Sequence, residues 1–94
     1  FGSCRYIVDD ILPRFGVETT LVDGADLDQW RAARRPNTVC GFVETPSNPM
    51  LDIVDLKAIA DILHQGGARL VVDNAFATPV LQRPGEFGAD VVVY

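Results

Sequence analysis

Residues 69–79 read Arg69-Leu-Val-Val-Asp-Asn-Ala-Phe-Ala-Thr-Pro79, an apolar strand that runs directly into an acid and then into a polar turn. A second polar loop, Glu44-Thr-Pro-Ser-Asn-Pro49, also follows an apolar strand. An ionised acid at the dry edge of a sheet is costly unless a cation stabilises it, so Asp73 is the first candidate for a binding residue. The two loops together predict a site at neighbouring strand ends.

The composition is that of an ordinary globular chain of at most one small domain. Its 94 residues are 48% hydrophobic and 22% charged. A net charge of −5 and a pI near 4.5 argue against a nucleic-acid-binding surface. The apolar runs are strand-sized, far below a membrane span, and the start at Phe1 resembles no targeting peptide. We therefore expect a cytoplasmic protein with no nucleic-acid partner and no membrane contact.

The sequence has the character of an internal segment. It does not begin with methionine, and it stops on Ala89-Asp-Val-Val-Val-Tyr94, an apolar run typical of an interior strand. We expect a longer parent chain. A piece with an open sheet edge is expected to be marginally stable by itself.

Helices and strands alternate along the sequence. Helices are predicted from a Ser3 cap to about residue 12, after Asp26 and after Asp55, and strands at 17–22, 38–43, 70–72 and 91–94. The clearest helix has Leu56, Ile59, Ala60 and Leu63 on one face. Because the strands are continuously apolar, the pattern favours an α/β fold, a parallel sheet covered by helices on both faces. Ligands bind such sheets beyond the carboxyl ends of the strands, where Glu44 and Asp73 fall.

Several roles for Asp73 remain open on spacing alone. An Asx-turn or a helix-capping acid is favoured over a binding residue, and a metal-binding acid is a third interpretation. A nucleotide site of the P-loop type needs GxxxxGK[ST], which the sequence lacks, and GxGxxG is absent as well. Cys4 and Cys40 have no second ligand at metal-binding spacing, so we predict no zinc or other metal site from them.

Two further polar residues have competing interpretations. Asn48 lies between Pro46 and Pro49, which restrict the backbone and would aim the amide at low entropic cost, but a plain turn amide is equally consistent. His64, near the end of the third predicted helix, is favoured as a partner of the helix dipole over a catalyst.

Three motifs together closely resemble the Cys/Met-metabolism family of pyridoxal-phosphate (PLP) enzymes. They are Phe42-Val-Glu-Thr-Pro-Ser-Asn-Pro49, Val71-Val-Asp-Asn-Ala-Phe-Ala-Thr-Pro79 and Gly88-Ala-Asp-Val-Val-Val-Tyr94, and the likeness runs in order over all 94 residues. The resemblance implies pyridoxal 5'-phosphate as cofactor. It also implies the α/β fold of the large PLP-binding domain of aspartate-aminotransferase-like (fold type I) enzymes, with residues 1–94 as a parallel-sheet segment of that single domain.

The resemblance implies that four residues bind the cofactor. Asp73 matches the acid that pairs with the pyridinium nitrogen and keeps the ring protonated, which makes the ring an electron sink. Asn48 matches an asparagine that hydrogen-bonds the phenolic oxygen, and Phe1-Gly2 matches a Tyr-Gly pair whose aromatic ring stacks on the cofactor. Glu44 lies in the same motif with no implied step.

The resemblance also implies that the Schiff-base lysine lies outside these residues. A PLP enzyme needs such a lysine, and Lys57, the one lysine of the sequence, is predicted on the exposed face of its helix. In the family the lysine follows, within Ser-x-Thr-Lys, the strand that here ends at Tyr94. We therefore expect no catalytic residue within residues 1–94 and no activity from them alone.

Within the family, Phe1-Gly-Ser-Cys4, Val22-Asp-Gly24 and residues 74–79 most resemble the O-succinylhomoserine sulfhydrylase branch. The implied reaction is γ-replacement of the succinate ester by sulfide, giving homocysteine. Phe1 lacks the phenol thought to act in proton transfer in relatives, and Ala75 replaces a frequent threonine. The implied partners are an amino-acid substrate, sulfide and further subunits of a homotetramer.

Other activities remain open at this point. Cystathionine γ-synthase, cystathionine or methionine γ-lyase and O-acetylhomoserine sulfhydrylase would share the residues named above. From another class, a non-catalytic α/β domain could hold a metal or ligand at its acidic strand ends, and a remnant serving only subunit packing is a weaker alternative. A Ser-x-Thr-Lys sequence after Tyr94 would favour the enzyme.

Overall fold

The computed structural model describes residues 2–46, 51 and 53–94. The elements, in chain order, are α1 Gly2–Tyr6, α2 Leu27–Ala33, β1 Cys40–Glu44, α3 Leu56–Gln65, β2 Arg69–Asp73, α4 Thr78–Leu81 and β3 Val91–Val93. No helix within the described ranges is long and apolar enough to cross a membrane.

The three strands form one parallel sheet with β2 in the centre. Residues 40–44 of β1 pair in register with residues 69–73 of β2, and residues 71–73 pair with β3. The predicted α/β fold with a parallel sheet is confirmed. So are the strands expected at 38–43, 70–72 and 91–94, with slightly shifted ends.

One face of the sheet is covered by α3. Asp55 caps this helix, because its carboxylate accepts the Ala58 N–H at 3.0 Å. The apolar face of the helix is buried and consists of Leu56, Ile59, Ala60, Ile62 and Leu63. Beneath it, Leu70 and Val72 of β2 are fully buried. Burying one such side chain stabilises the fold by roughly 1.5–3 kcal/mol, so the predicted α3 face is the main source of stability described here.

Helix α2 packs on the same face. Asp26 caps it by accepting the Asp28 and Gln29 N–H groups, as predicted. A Cβ at Gly41 of β1 would lie 2.9 Å from the Trp30 side chain and 2.7 Å from that of Leu63. The side chains of α2 and α3 therefore approach the backbone of β1 closely at Gly41, and the two helices meet above it.

The opposite face of the sheet is open within the described residues. Phe42, Val91 and Val93 lie there, 39–43% exposed. The prediction of helices on both faces therefore does not hold for this part of the chain. Its strands are apolar on both faces, but α2 and α3 both pack on one of them.

The N-terminal helix differs from the prediction. It includes Ser3 rather than starting after it, and beyond Tyr6 it widens to a π-helical turn at Ile7–Ile11 before a 3₁₀ turn at Leu12–Phe15. Ile7, Ile11 and Phe15 recur at a spacing of four, which predicts an apolar stripe, but the stripe is largely uncovered, since Phe15 is 78% exposed. The periodicity was present, but the described residues provide no surface against which it packs fully.

The strand predicted at 17–22 is wrong. This stretch forms no strand and does not pair with the sheet in the described part of the chain. It hydrogen-bonds back to the preceding helical turns instead, through the Val17 N–H to the Leu12 carbonyl (3.3 Å) and the Thr19 hydroxyl to the Val8 carbonyl (3.1 Å). Apolar composition alone did not specify a strand partner.

Candidate functional site

Strands β1 and β2 end side by side at the carboxyl edge of the sheet. Glu44 and Asp73 are paired in register, and the Thr45 N–H donates to the Asp73 carbonyl at 3.4 Å. Paired residues project to the same face, so both acids lie on the face opposite α3. The predicted meeting of two polar strand ends is confirmed.

The Asp73 side chain is half-buried and partly fixed. Its Oδ1 accepts the Ala75 N–H at 3.0 Å, which is the Asx-turn expected as one alternative. The Asp73 side chain is less buried than expected for an acid at a dry sheet edge, so desolvation alone does not require a cation beside it. No cation of the described residues forms an ion pair with Asp73. The turn therefore orients a carboxylate that retains capacity for a further partner.

A buried polar cluster lies directly behind the two acids. We call Thr45, Asn74 and Gln82 the amide bridge. The Gln82 Nε2 donates to the Thr45 carbonyl (2.8 Å) and to Asn74 Oδ1 (3.0 Å), while Asn74 Nδ2 donates to the Gln82 carbonyl (2.8 Å). Sequence reasoning missed this cluster. Asn74 was visible as the neighbour of Asp73, but nothing in the sequence indicated that Gln82 folds back onto it.

The first residue of α4, directly after the loop from β2, is strained. Thr78 has φ of 59°, a left-handed conformation that is unfavourable for a β-branched residue. Its N–H donates to the Asn74 carbonyl (2.9 Å), and its carbonyl accepts the Gln82 N–H (3.1 Å). The amide bridge thus closes around the strained turn and fixes its conformation.

Two of the four predicted cofactor-binding residues, Phe1 and Asn48, lie outside the described residues. Gly2 is described and is the first residue of α1. No hydrogen bond in the described part of the chain joins Gly2 to Asp73. The structure therefore brings Asp73 and Glu44 together, and the remaining assignments stay predictions.

An open cleft of about 520 Å³ lies beside these loops. Its lining is mostly apolar and consists of Pro46, Leu51, Ile53, Phe76, Ala77, Leu81 and Gln82. Gln82 lines the cleft, whereas Asp73 does not. The acid and the cleft are therefore separate features of the same edge of the sheet.

A second polar cluster lies at the opposite, amino edge of the sheet. His64 Nε2 and Asp90 Oδ2 are 2.8 Å apart, and the same oxygen accepts the Leu70 N–H at 2.7 Å. These two hydrogen bonds, that of His64 first, lower the pKa of Asp90 below its usual value, with a smaller contribution from Arg69. His64 therefore joins α3 to the start of β3, away from the candidate site.

Lys57 lies on the exposed side of α3, as predicted. Its Nζ is 2.7 Å from Asp61 Oδ1, one turn further along the helix, and its side chain is 65% exposed. This is a solvated i,i+4 ion pair of the kind that stabilises helices only slightly. Nothing in this arrangement prepares Lys57 as a nucleophile.

The chemistry available at the carboxyl edge is that of an oriented acid. A carboxylate with one oxygen held by a backbone N–H can accept a charge-assisted hydrogen bond from a protonated nitrogen. The register with β1 places a second acid, Glu44, beside it on the same face of the sheet. The site suits a cationic group of a ligand.

Known proteins of one family resemble the whole chain. The model of the family described as "Cys/Met metabolism PLP-dependent enzyme" matches residues 1–94. O-succinylhomoserine sulfhydrylase of Mycobacterium tuberculosis is 52% identical over 94 residues, which are 100% of this chain and 23% of that protein. Cystathionine gamma-lyase of Bacillus subtilis is 42% identical over 100% of this chain and 25% of its own length. The chain thus spans about a quarter of the length of these relatives.

A solved structure agrees with the same assignment. The crystal structure of metB from Corynebacterium glutamicum superposes with a TM-score of 0.94 at 41% sequence identity. The superposition covers 98% of this chain and 24% of that one. At this identity the likeness extends beyond the fold.

Proposed function

Since the chain belongs to the Cys/Met-metabolism family of PLP-dependent enzymes, we propose that residues 1–94 form part of the large cofactor-binding domain of a transsulfuration enzyme. We assign Asp73 to the ring nitrogen of PLP, Asn48 to its phenolic oxygen, and Phe1 with Gly2 to the face of the ring. The observation that carries the proposal is the position of Asp73, an oriented acid at the carboxyl end of the central strand.

The environment of Asp73 fits a protonated ring nitrogen. Oδ1 is held by the Ala75 N–H, and within the described residues no cationic side chain occupies the carboxylate. Half-burial excludes part of the surrounding water, so a charge-assisted hydrogen bond there is stronger than one in bulk solvent. The Asp73 carboxylate can therefore accept a further hydrogen bond from a cationic donor.

PLP supplies, when bound, a conjugated ring that withdraws electrons from a substrate carbanion, most effectively while its ring nitrogen is protonated. Asp73 holds the proton on that nitrogen, because an adjacent carboxylate favours the charged form. Asn48 donates to the phenolic oxygen from a backbone restricted by Pro46 and Pro49. Phe1 covers the ring face and excludes water from it.

The proposed reaction of the whole protein is replacement of the succinate of O-succinylhomoserine by sulfide, giving homocysteine. The likeness to O-succinylhomoserine sulfhydrylase of Mycobacterium tuberculosis supports this choice. The proposed partners are therefore the amino-acid ester, sulfide and, in a homotetramer, further copies of the protein. We propose the cytoplasm as its location and methionine biosynthesis as its role.

A second candidate is γ-elimination, which the likeness to cystathionine gamma-lyase of Bacillus subtilis favours. The two reactions separate in an assay of the full-length protein with O-succinylhomoserine, with and without sulfide. Homocysteine formed only with sulfide supports replacement. Release of ammonia at the same rate with and without sulfide supports elimination and contradicts the proposed replacement reaction.

The assignment of Asp73 is tested by Asp73→Asn in the full-length protein. Loss of the negative charge should weaken PLP binding about tenfold or more and shift the pH dependence of the absorbance of the bound cofactor. Both quantities are measured by spectrophotometric titration. Asp61→Asn, which removes an exposed helix acid, is the matched control. Unchanged affinity and an unchanged pH profile in Asp73→Asn would show that the acid does not contact the cofactor.

A further inference from the structure

The amide bridge of Thr45, Asn74 and Gln82 connects the residues that directly follow the two acids at the ends of β1 and β2. Asn74 follows Asp73 directly, and Thr45 follows Glu44 directly. Asn74 and Thr45 are fully buried. Gln82 is only partly buried, and its side chain reaches them from the end of α4. A single side chain thus spans the ends of two strands at one position behind the site.

We propose that Gln82 is a positioning residue of the candidate site, which fixes the turn that follows Asp73 against Thr45, the residue that follows Glu44. This inference rests on the function proposed for Asp73. Gln82 does not touch the reacting atoms in this scheme. It acts through Asn74 and Thr45, and so determines where the Asp73 carboxylate points.

The chemistry of the bridge requires a primary amide at position 82. Its Nε2 carries two N–H groups, and both are used, one on the Thr45 carbonyl and one on Asn74 Oδ1. Methionine has a similar length but donates no hydrogen bond, so Gln82→Met leaves two buried acceptors without this donor. Glutamate is nearly isosteric but would bring a carboxylate against the same two oxygens. The two variants therefore disrupt the bridge in different ways.

The backbone around the bridge links it to Asp73. The Asn74 N–H donates to the Val93 carbonyl at 2.9 Å, which ties the residue after Asp73 to β3. The Thr78 N–H donates to the Asn74 carbonyl, and Thr78 holds the left-handed φ of 59°. Such a conformation persists only when its surroundings fix it. Release of Gln82 would relax this turn and, with it, the Ala75 N–H that orients Asp73 Oδ1.

The test uses the full-length protein, with Gln82→Met and Gln82→Glu and with Gln65→Met as the matched control at an exposed glutamine of α3. PLP affinity and the pH midpoint of the absorbance of the bound cofactor are measured for each. We expect Gln82→Met to weaken PLP binding roughly tenfold and to move the pH midpoint in the direction seen in Asp73→Asn, by a smaller amount. Gln65→Met should change neither quantity.

A double variant, Asp73→Asn with Gln82→Met, distinguishes positioning from general destabilisation. If Gln82 acts through Asp73, its substitution should cost clearly less affinity in the Asp73→Asn background than in the wild type, and should no longer move the pH midpoint. Thermal unfolding of the cofactor-free forms reports any loss of fold. An equal loss of affinity in both backgrounds, or an unmoved midpoint in the single variant, overturns the positioning role. If Asp73→Asn alone has no effect, the proposed function fails instead.

Discussion

Asp90 at the amino edge of the sheet and Asp73 at its carboxyl edge differ in their hydrogen-bond partners. At the amino edge, Asp90 accepts from both His64 and the Leu70 N–H. At the carboxyl edge, the Asp73 carboxylate accepts from the Ala75 N–H. Gln82 forms hydrogen bonds with Asn74 and Thr45, the neighbours of Asp73, and not with the acid itself. Asp90 thus accepts hydrogen bonds from two other elements, α3 and β2, whereas the Asp73 carboxylate accepts from the turn that follows it.

The largest expected effect is the difference between these two acids in catalysis. In the full-length protein, Asp73→Ala should lower kcat/KM about 100-fold or more, because it removes a charge that stabilises developing charge during the reaction. Asp90→Ala should leave kcat/KM within about threefold, provided that the protein folds. Steady-state kinetics with circular dichroism of both variants provides the measurement. Equal losses of kcat/KM in the two variants would contradict a specific role of Asp73 in catalysis.

A smaller effect is expected in the pH dependence of stability. The pKa of Asp90 is lowered in the folded protein, so its contribution is fully present above its unfolded pKa and is lost as the pH falls toward the folded value. Asp90→Asn should therefore destabilise the protein near neutral pH, and the gap from wild type should narrow below about pH 4. Chemical denaturation at several pH values measures the gap. A gap that is constant with pH would exclude the ionised carboxylate as its source.

The helices that cover one face of the sheet could be predicted from the sequence, because the signals that specify them are local. The Asp26 and Asp55 caps, the apolar face of α3 and the acid at the end of β2 each depend on residues close together in the chain. The stretch at 17–22 was predicted wrongly as a strand because a strand needs a partner, which no local pattern specifies. Gln82 was missed for the same reason, since its contact with Thr45 spans 37 positions.

The smallest expected effect concerns Lys57, which lies in the first turn of α3 and pairs with Asp61 in solvent. Lys57→Ala should change the free energy of unfolding by no more than about 0.5 kcal/mol, the usual contribution of an exposed i,i+4 pair. It should also leave PLP content and activity of the full-length protein unchanged, because an exposed, ion-paired ammonium is not prepared to react with the cofactor. Absorbance of the purified protein and a kinetic assay measure both quantities, with Asp61→Ala breaking the same pair from the other side. Loss of bound cofactor in Lys57→Ala but not in Asp61→Ala would identify Lys57 as the cofactor-binding lysine and would require a site on α3 rather than at the carboxyl edge of β2.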